Sequence, residues 1–248
     1  MKIVVIGETC VDKFVYCDIN RLSPEAPVPV LQPITTVTNA GMSGNTVANL
    51  KALEPSSQVL HFSNLSQVTK TRYVEKKTNH MFLRVDEGDD KIEQFIWSED
   101  YDYFISDADI VIVSDYDKGY LLDYTLQMIA YKAKLSILDS KRKLNNDIIK
   151  DFSFIKLNEE EWLNNKDHLD PSKVIVTLGS KGCMYNGKTY PSPKPQETID
   201  VSGAGDTFTA AFALSYATAK SVPNAIKFAN KISAEVVSKR GVQTPNKN

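Results

Sequence analysis

The chain has 248 residues and a mass of 27.7 kDa, with 42% apolar and 24% charged residues and a mean hydropathy of −0.28. That allows one large domain or two small ones, is enough to bury a sizeable core, and excludes collagen-like and disordered chains. Lys and Arg number 29 and Asp and Glu 31, a formal charge of −2, so no basic surplus points to nucleic acid or an anionic membrane. The longest apolar runs, 110–113 and 210–214, fall far short of the ~20 residues of a membrane-spanning helix. One Lys precedes a short apolar strand at the N-terminus and no small-residue cleavage site follows, so no signal peptide is expected. Cys10, Cys17 and Cys183 are odd in number and lack CxxC spacing, so they read as reduced thiols of a cytoplasmic protein. His61, His80 and His168 lie far apart and form no visible metal cluster.

In chain order, residues 2–6 (KIVVI) read as a buried strand ending at Gly7. From 13 to 38 the chain is β-prone but carries Pro24, Pro27, Pro29 and Pro33. Proline cannot donate to a central ladder, so edge strands or a small separate sheet are expected there. A helix is expected over 45–53, a strand over 57–62 and a half-exposed hairpin over 71–85 around Thr78-Asn79. Strands follow at 110–113, 135–138, 152–157 and 173–178, with helices over 121–132 and 158–164. Two longer helices close the chain, over 205–220 and 223–239, the second opening with Ser221 and Pro223 as a cap region. The alternation predicts one α/β domain spanning 1–248, with a β flap built from about 13–38 and 71–85.

Gly182 to Thr189 fits the phosphate-loop pattern GxxxxGK[ST] letter for letter. That chemistry needs a helix starting after the Lys, and Pro191, Pro193 and Pro195 forbid one. Asn186-Gly187 between two short β-prone runs is instead a two-residue hairpin signal.

The segment Asp200-Val201-Ser202-Gly203-Ala204-Gly205-Asp206 runs straight into an apolar helix. Glycines before a helix let free N–H groups converge, and with the helix dipole they form an anion hole. Asp206 in the first turn can accept the proton of an attacking hydroxyl while those groups stabilise a transferring phosphoryl. A glycine turn with a capping Asp is the other reading of the segment taken alone.

This segment is similar to the DTxGAGD signature of the PfkB (ribokinase-like) carbohydrate kinases. Residues 20–30 (NRLSPEAPVPV) and 114–119 (SDYDKG) resemble RISPEAPVPV and SDYGKG of one branch, the D-glycero-β-D-manno-heptose-7-phosphate kinases. The resemblance spans Gly7 to Gly241 in order. It implies a three-layer sandwich with a mostly parallel central sheet and a β lid, and a cytoplasmic, ATP- and Mg2+-dependent kinase acting on a sugar or sugar phosphate. It assigns Asp206 as base, with Gly203, Ala204 and Gly205 as the anion hole. Asp12, Gly41 and Asn45 are implied as sugar contacts, and Asn158 and Glu161 as the NxxE pair arranging magnesium and phosphate, mainly through water. Thr177, Gly179, Gly182 and Asn230 are implied at the nucleotide. Arg84, Lys118 and Lys141 are candidate partners of an acceptor phosphate, and Arg84 and Lys118 are preferred to Arg142 because they sit in segments that resemble the branch. Flap-to-flap pairing in the family implies a homodimer.

Three departures stand out. The chain is several tens of residues short, the gap falling between Leu53 and Thr71, where the family carries another βα unit. The usual Gly-Gly is Gly41-Met42. Asp117 replaces a glycine, and Lys156-Leu157-Asn158 replaces TPN. A pseudokinase that binds without transfer, and a kinase for another sugar or a nucleoside, are the alternatives. A dinucleotide-binding oxidoreductase is disfavoured, since Gly7-Glu8-Thr9 is no GxGxxG.

Overall fold

The computed structural model describes residues 1–193, 203–237 and 244–245. Asp200, Val201 and Ser202 of the glycine segment, Pro195 and residues 239–241 lie outside them, as does the end of the last helix expected to reach 239. The strands are β1 (Lys2–Gly7), β2 (Thr9–Asp18), β3 (Gln32–Met42), β4 (Gln58–Phe62), β5 (Thr69–Glu75), β6 (Met81–Glu87), β7 (Ile110–Asp115), β8 (Ser136–Ser140), β9 (Phe154–Asn158), β10 (Val174–Thr177), β11 (Cys183–Tyr185) and β12 (Lys188–Tyr190). The helices are α1 (Ser43–Leu53), α2 (Glu99–Asp107), α3 (Asp123–Lys132), α4 (Asn146–Ile149), α5 (Glu159–Asn165), α6 (Ala204–Ala219) and α7 (Val222–Val236).

An eight-stranded sheet runs β12-β11-β10-β9-β8-β7-β1-β4, parallel from β4 to β10 and antiparallel only at β10-β11-β12. Its inner strands are apolar without interruption because both faces are covered. On β1 the alternation sends Ile3 and Val5 to one side, with Leu50 of α1, Phe212 of α6 and Ile226 of α7. Val4 and Ile6 go to the other side, with Ile105 of α2 and Leu126 and Ile129 of α3. Each such side chain contributes roughly 1.5–3 kcal/mol, so the three layers follow from the sequence pattern. No helix among the described residues is long and apolar enough to cross a membrane.

The second sheet, β3-β2-β5-β6, is the flap. Its strands start earlier and end later than expected, at Thr9 and Met42, while 19–31 forms a loop with a single bridge between Leu22 and Pro29. Pro24, Pro27 and Pro29 lie in that loop and Pro33 on edge strand β3, as their missing N–H requires. Asn186 and Gly187 both have positive φ, 48° and 72°, the type I′ turn of a tight hairpin between β11 and β12. The letter-perfect phosphate-loop match is therefore a hairpin. Where the additional βα unit was expected, β4 forms the sheet edge and only residues 63–68 connect it to β5.

Two helices escape the periodicity reading. α2 buries only Ile105, and α4 is four residues long.

Candidate active site

Parallel strands present their carboxyl ends at one edge of the sheet, where crossover loops open a crevice. At that edge lie Glu8 after β1, residues 115–118 after β7, Asp139 and Lys141 at the end of β8, Asn158 ending β9 and Thr177 ending β10. The N-terminus of α6 faces them. Gly203 precedes it at φ 79°, ψ 0°, a left-handed conformation that only glycine adopts readily. Thr207 N donates to Gly203 O at 3.0 Å, so the amides of Ala204, Gly205 and Asp206 precede the helical ladder and remain available to a ligand.

This first turn separates two cavities. One, of about 400 Å³, is lined by Thr177, Gly179, Gly182, Ala204, Gly205 and Asn230, with Phe208, Ala234 and Val237 as apolar wall. The other, of about 270 Å³, lies under the flap and is lined by Asp12, Met42, Asn45, Lys70, Arg72, Arg84, Tyr116, Lys118, Gly203 and Asp206, among others. The residues expected at nucleotide and those expected at sugar thus fall on opposite sides of one helix turn. Gly41 lies behind the second cavity, where a Cβ would come within 2.6 Å of Cys10 Sγ.

Asp206 is 7% exposed. Tyr116 Oη donates to its Oδ1 and Asn45 Nδ2 to its Oδ2, each at 2.8 Å. Asn49 Nδ2 donates to Asn45 Oδ1 at 3.0 Å, which turns the Asn45 amide nitrogen toward the carboxylate. Asn45 is the third residue of α1, which starts two residues before the expected 45 with Met42 at its N-cap. Burial, reinforced by the nearby Asp139 charge, pushes the Asp206 carboxyl up to about 6, against the pull of Asn45, Tyr116 and Lys156. Cys10 is pushed up to about 12, chiefly by burial and then by Asp12, so its thiol stays protonated.

The flap's register assembles the cations. Lys70 faces Asp86 and Arg72 faces Arg84 across β5 and β6, while Asp12 on β2 faces Lys70. Arg72 pairs with Asp12. Arg84 makes two bonds to Asp86, at 2.8 and 2.9 Å. Lys70 bonds Asp86 and Asp89, and Lys118 bonds Asp89 at 2.9 Å. Lys70 and Arg72 were missed in the sequence; their two-residue spacing on a strand was the available signal.

Asn158 and Glu161 form a closed capping box. Glu161 Oε2 accepts from Asn158 N at 2.7 Å, and Oε1 accepts from Asn158 Nδ2 at 2.8 Å and Lys141 Nζ at 2.5 Å. Neither residue is among those lining the two cavities. Burial disfavours the Lys141 ammonium, but Asp139 and Glu161 outweigh it and hold its pKa above the usual lysine range. Asn230 lines the first cavity, yet its Nδ2 donates to Tyr190 O at 2.9 Å, anchoring the chain beyond the hairpin. Arg142 grips buried Asp115 at 2.6 and 2.9 Å, which ties the end of β7 to the loop after β8.

The departures from the resembled pattern also find their places. Met42 adopts φ 56°, ψ −134° and is buried, its side chain packed with Cys10 and Val68 in the wall of the flap cavity. Asp117 has φ 56°, is exposed, and does not line that cavity. Lys156 is buried against Asp139 at 3.0 Å, and a Cβ on Gly205 would stand 2.9 Å from its Nζ.

Comparison with known proteins adds three findings. A sequence model described as pfkB family carbohydrate kinase matches residues 66–248. Proteins named "Bifunctional protein HldE" are similar over nearly the whole chain. That of Nitratiruptor sp. is 26% identical over 292 residues, covering 98% of this chain and 63% of the relative; that of Helicobacter pylori strain J99 is 31% identical, covering 97% and 63%. The chain therefore spans under two thirds of the length of these relatives, and the first alignment includes stretches for which this chain has no residues. Among solved structures, Arabidopsis thaliana ribokinase complexed with ribose and ATP superposes with a TM-score of 0.74 at 19% identity, covering 99% of this chain and 96% of that one.

Proposed function

The chain belongs to the pfkB family of carbohydrate kinases, and from that premise we propose that it transfers the γ-phosphoryl group of ATP to a hydroxyl of a phosphorylated sugar. The observation that carries the proposal is the junction of two cavities at the first turn of α6, with free amides on one side and the buried carboxylate of Asp206 on the other. In this reading ATP occupies the cavity between α6 and the Thr177–Gly182 turn, and the acceptor sits under the flap. Asp206 takes the proton of the acceptor hydroxyl, and that oxygen bonds to the γ-phosphorus. The bond to the β-phosphate oxygen breaks and ADP leaves, while the amides of Ala204 and Gly205 stabilise charge on the moving group.

Asp12, Gly41 and Asn45 shape the sugar site, and Arg84, Lys118, Lys70 and Arg72 offer the acceptor's phosphate its cations. The 20–30 segment, similar to that of the heptose-phosphate branch, makes D-glycero-β-D-manno-heptose 7-phosphate the first acceptor to try. Among the described residues no cluster of three acids, histidines or cysteines could cage a metal. Glu161, already bonded to Lys141 and lining neither cavity, would reach magnesium only through a water, the nucleotide phosphates being the ion's main ligands. When bound, the ion neutralises phosphate charge.

The test is coupled ADP release with ATP, Mg2+ and a panel of sugars and sugar phosphates. Release that depends on a phosphorylated acceptor is expected. Arg84→Ala should raise KM for that acceptor roughly tenfold or more, the loss of a charge-assisted pair, and leave KM for ATP unchanged. Silence across the panel with ATP still bound would favour a binding protein without transfer. Equal activity on unphosphorylated sugars would remove the role given to Arg84.

The flap also supports a homodimer. Both of its edge strands are exposed and carry apolar side chains, Ile34 and Val37 on β3 and Met81, Phe82, Leu83 and Val85 on β6. Exposed edges of this kind are normally covered. Light scattering at micromolar concentration should give twice the 27.7 kDa chain mass, and Phe82→Asp should lower it; a monomer throughout contradicts the pairing.

A further inference from the structure

We propose that Tyr116 is a positioning residue for Asp206: its phenol fixes the rotation of the carboxylate so that one oxygen lone pair faces the acceptor cavity. The inference rests on Asp206 being the base. It starts from the 2.8 Å bond between Tyr116 Oη and Asp206 Oδ1, made across 90 residues of chain between a loop after β7 and the first turn of α6. Each carboxylate oxygen can accept two hydrogen bonds. With Tyr116 on Oδ1 and Asn45 on Oδ2, each oxygen keeps one free direction, and the plane of the group is pinned from both sides.

The rest of the site holds Tyr116 for this task. Buried Glu8 accepts from Tyr116 N at 2.9 Å and Lys118 N at 3.0 Å, which locks the loop backbone. Met42, Cys10 and Val68 pack against the side chain, and Lys141 Nζ lies 5.8 Å from the ring centroid. Burial above all, and then the charges of Asp206 and Asp139, push the phenol's pKa well above its ordinary value, so the hydroxyl remains a donor across the working pH range. The charged or titratable groups that act on Asp206 include Asp139 from β8, Lys156 from β9, Lys141 beyond β8, Cys10 from β2 and Tyr116 itself, and Asp12, Lys70, Arg72, Arg84, Asp86 and Lys118 line the same cavity. Among these, Tyr116 alone also donates a hydrogen bond to the carboxylate in the structure.

Tyr116→Phe removes the hydroxyl and keeps the ring. In the ligand-free protein, a carbon-13 aspartate carboxyl titration, assigned by the signal missing in Asp206→Asn, reads the carboxylate without any acceptor. The Tyr116→Phe midpoint should lie about one pH unit above wild type, because a bond to the ionised form is lost. With ATP, Mg2+ and heptose 7-phosphate, kcat should fall roughly ten- to a hundredfold. The acid limb of its pH profile should move up with the titration, and ATP affinity should stay unchanged. A packing role alone would leave the midpoint and the pH profile where they were. An unshifted midpoint with kcat within twofold of wild type overturns the positioning role. Turnover by Asp206→Asn overturns the base assignment, a separate failure that the carboxyl titration does not share.

Discussion

Asp206→Asn is expected to lower turnover by at least about a thousandfold, near the upper end of what a positioned general base contributes, while ATP binding changes little. The amide keeps the shape of the side chain, and its oxygen can still accept from Asn45 while its nitrogen donates to the Tyr116 hydroxyl oxygen, but it cannot take a proton. In the wild type, turnover should rise with pH through about 6, the value to which burial and Asp139 push the carboxyl. The same shift makes a stability prediction with a definite sign. The folded-state pKa lies above the ordinary value of 3.8, so this group favours folding most below pH 4 and loses that contribution as pH rises through 6. At pH 8 the ionised carboxylate therefore costs on the order of 3 kcal/mol, at ~1.4 kcal/mol per pH unit. Asp206→Asn should melt several degrees higher than wild type at pH 8, the advantage shrinking as pH falls and vanishing near 4. A variant that is inactive and also less stable at pH 8 would indicate a collapsed site instead of a missing base.

The second large effect is on stability. Lys156→Ala should destabilise the protein by about 3–5 kcal/mol, the usual loss when one partner of a buried ion pair is removed. Its side chain is 5% exposed and that of Asp139 is 8% exposed, with Nζ 3.0 and 3.1 Å from the two carboxylate oxygens. Burial raises the Asp139 carboxyl, but Lys156, Lys141 and the Thr209 hydroxyl outweigh it and leave the pKa below its ordinary value. The pair therefore stabilises the fold at neutral pH and fails only as pH drops below about 4. Removing the ammonium strands that charge beside Asp206, so the Asp206 titration should also move up. Urea denaturation measures the loss, and Lys156→Met combined with Asp139→Asn should recover much of it. A loss below about 1 kcal/mol would mean that Asp139 finds another partner or takes up a proton.

Much of the layered fold was legible because fully buried parallel strands leave nearly unbroken apolar runs, as in 2–6 and 110–113. The hairpin at Asn186-Gly187 was legible because its turn type demands positive φ at both residues, and the prolines after Tyr190 removed the competing phosphate loop. α2 was not, since its helical signal depends on a single buried side chain, Ile105. The glycine segment before α6 led by local rules alone to the expectation of an anion hole. Asn158 and Glu161 also obeyed a local rule, the capping box, and the structure shows that box closed on itself and on Lys141.

By itself, then, the sequence determined the α/β class, the separate flap and the family, and it supplied the proposal for Asp206, because periodicity, turn residues and short motifs act within a few residues of chain. Tertiary structure decided what surrounds that chemistry. It placed Tyr116 and Asn45 on the two oxygens of Asp206, turned Arg72 and Lys70 into a shared cavity with Arg84, and set Lys156 against Asp139 beside Gly205. Those contacts join strands and helices remote in the chain. Strand register and burial set their distances and electrostatics, and neither can be read one segment at a time.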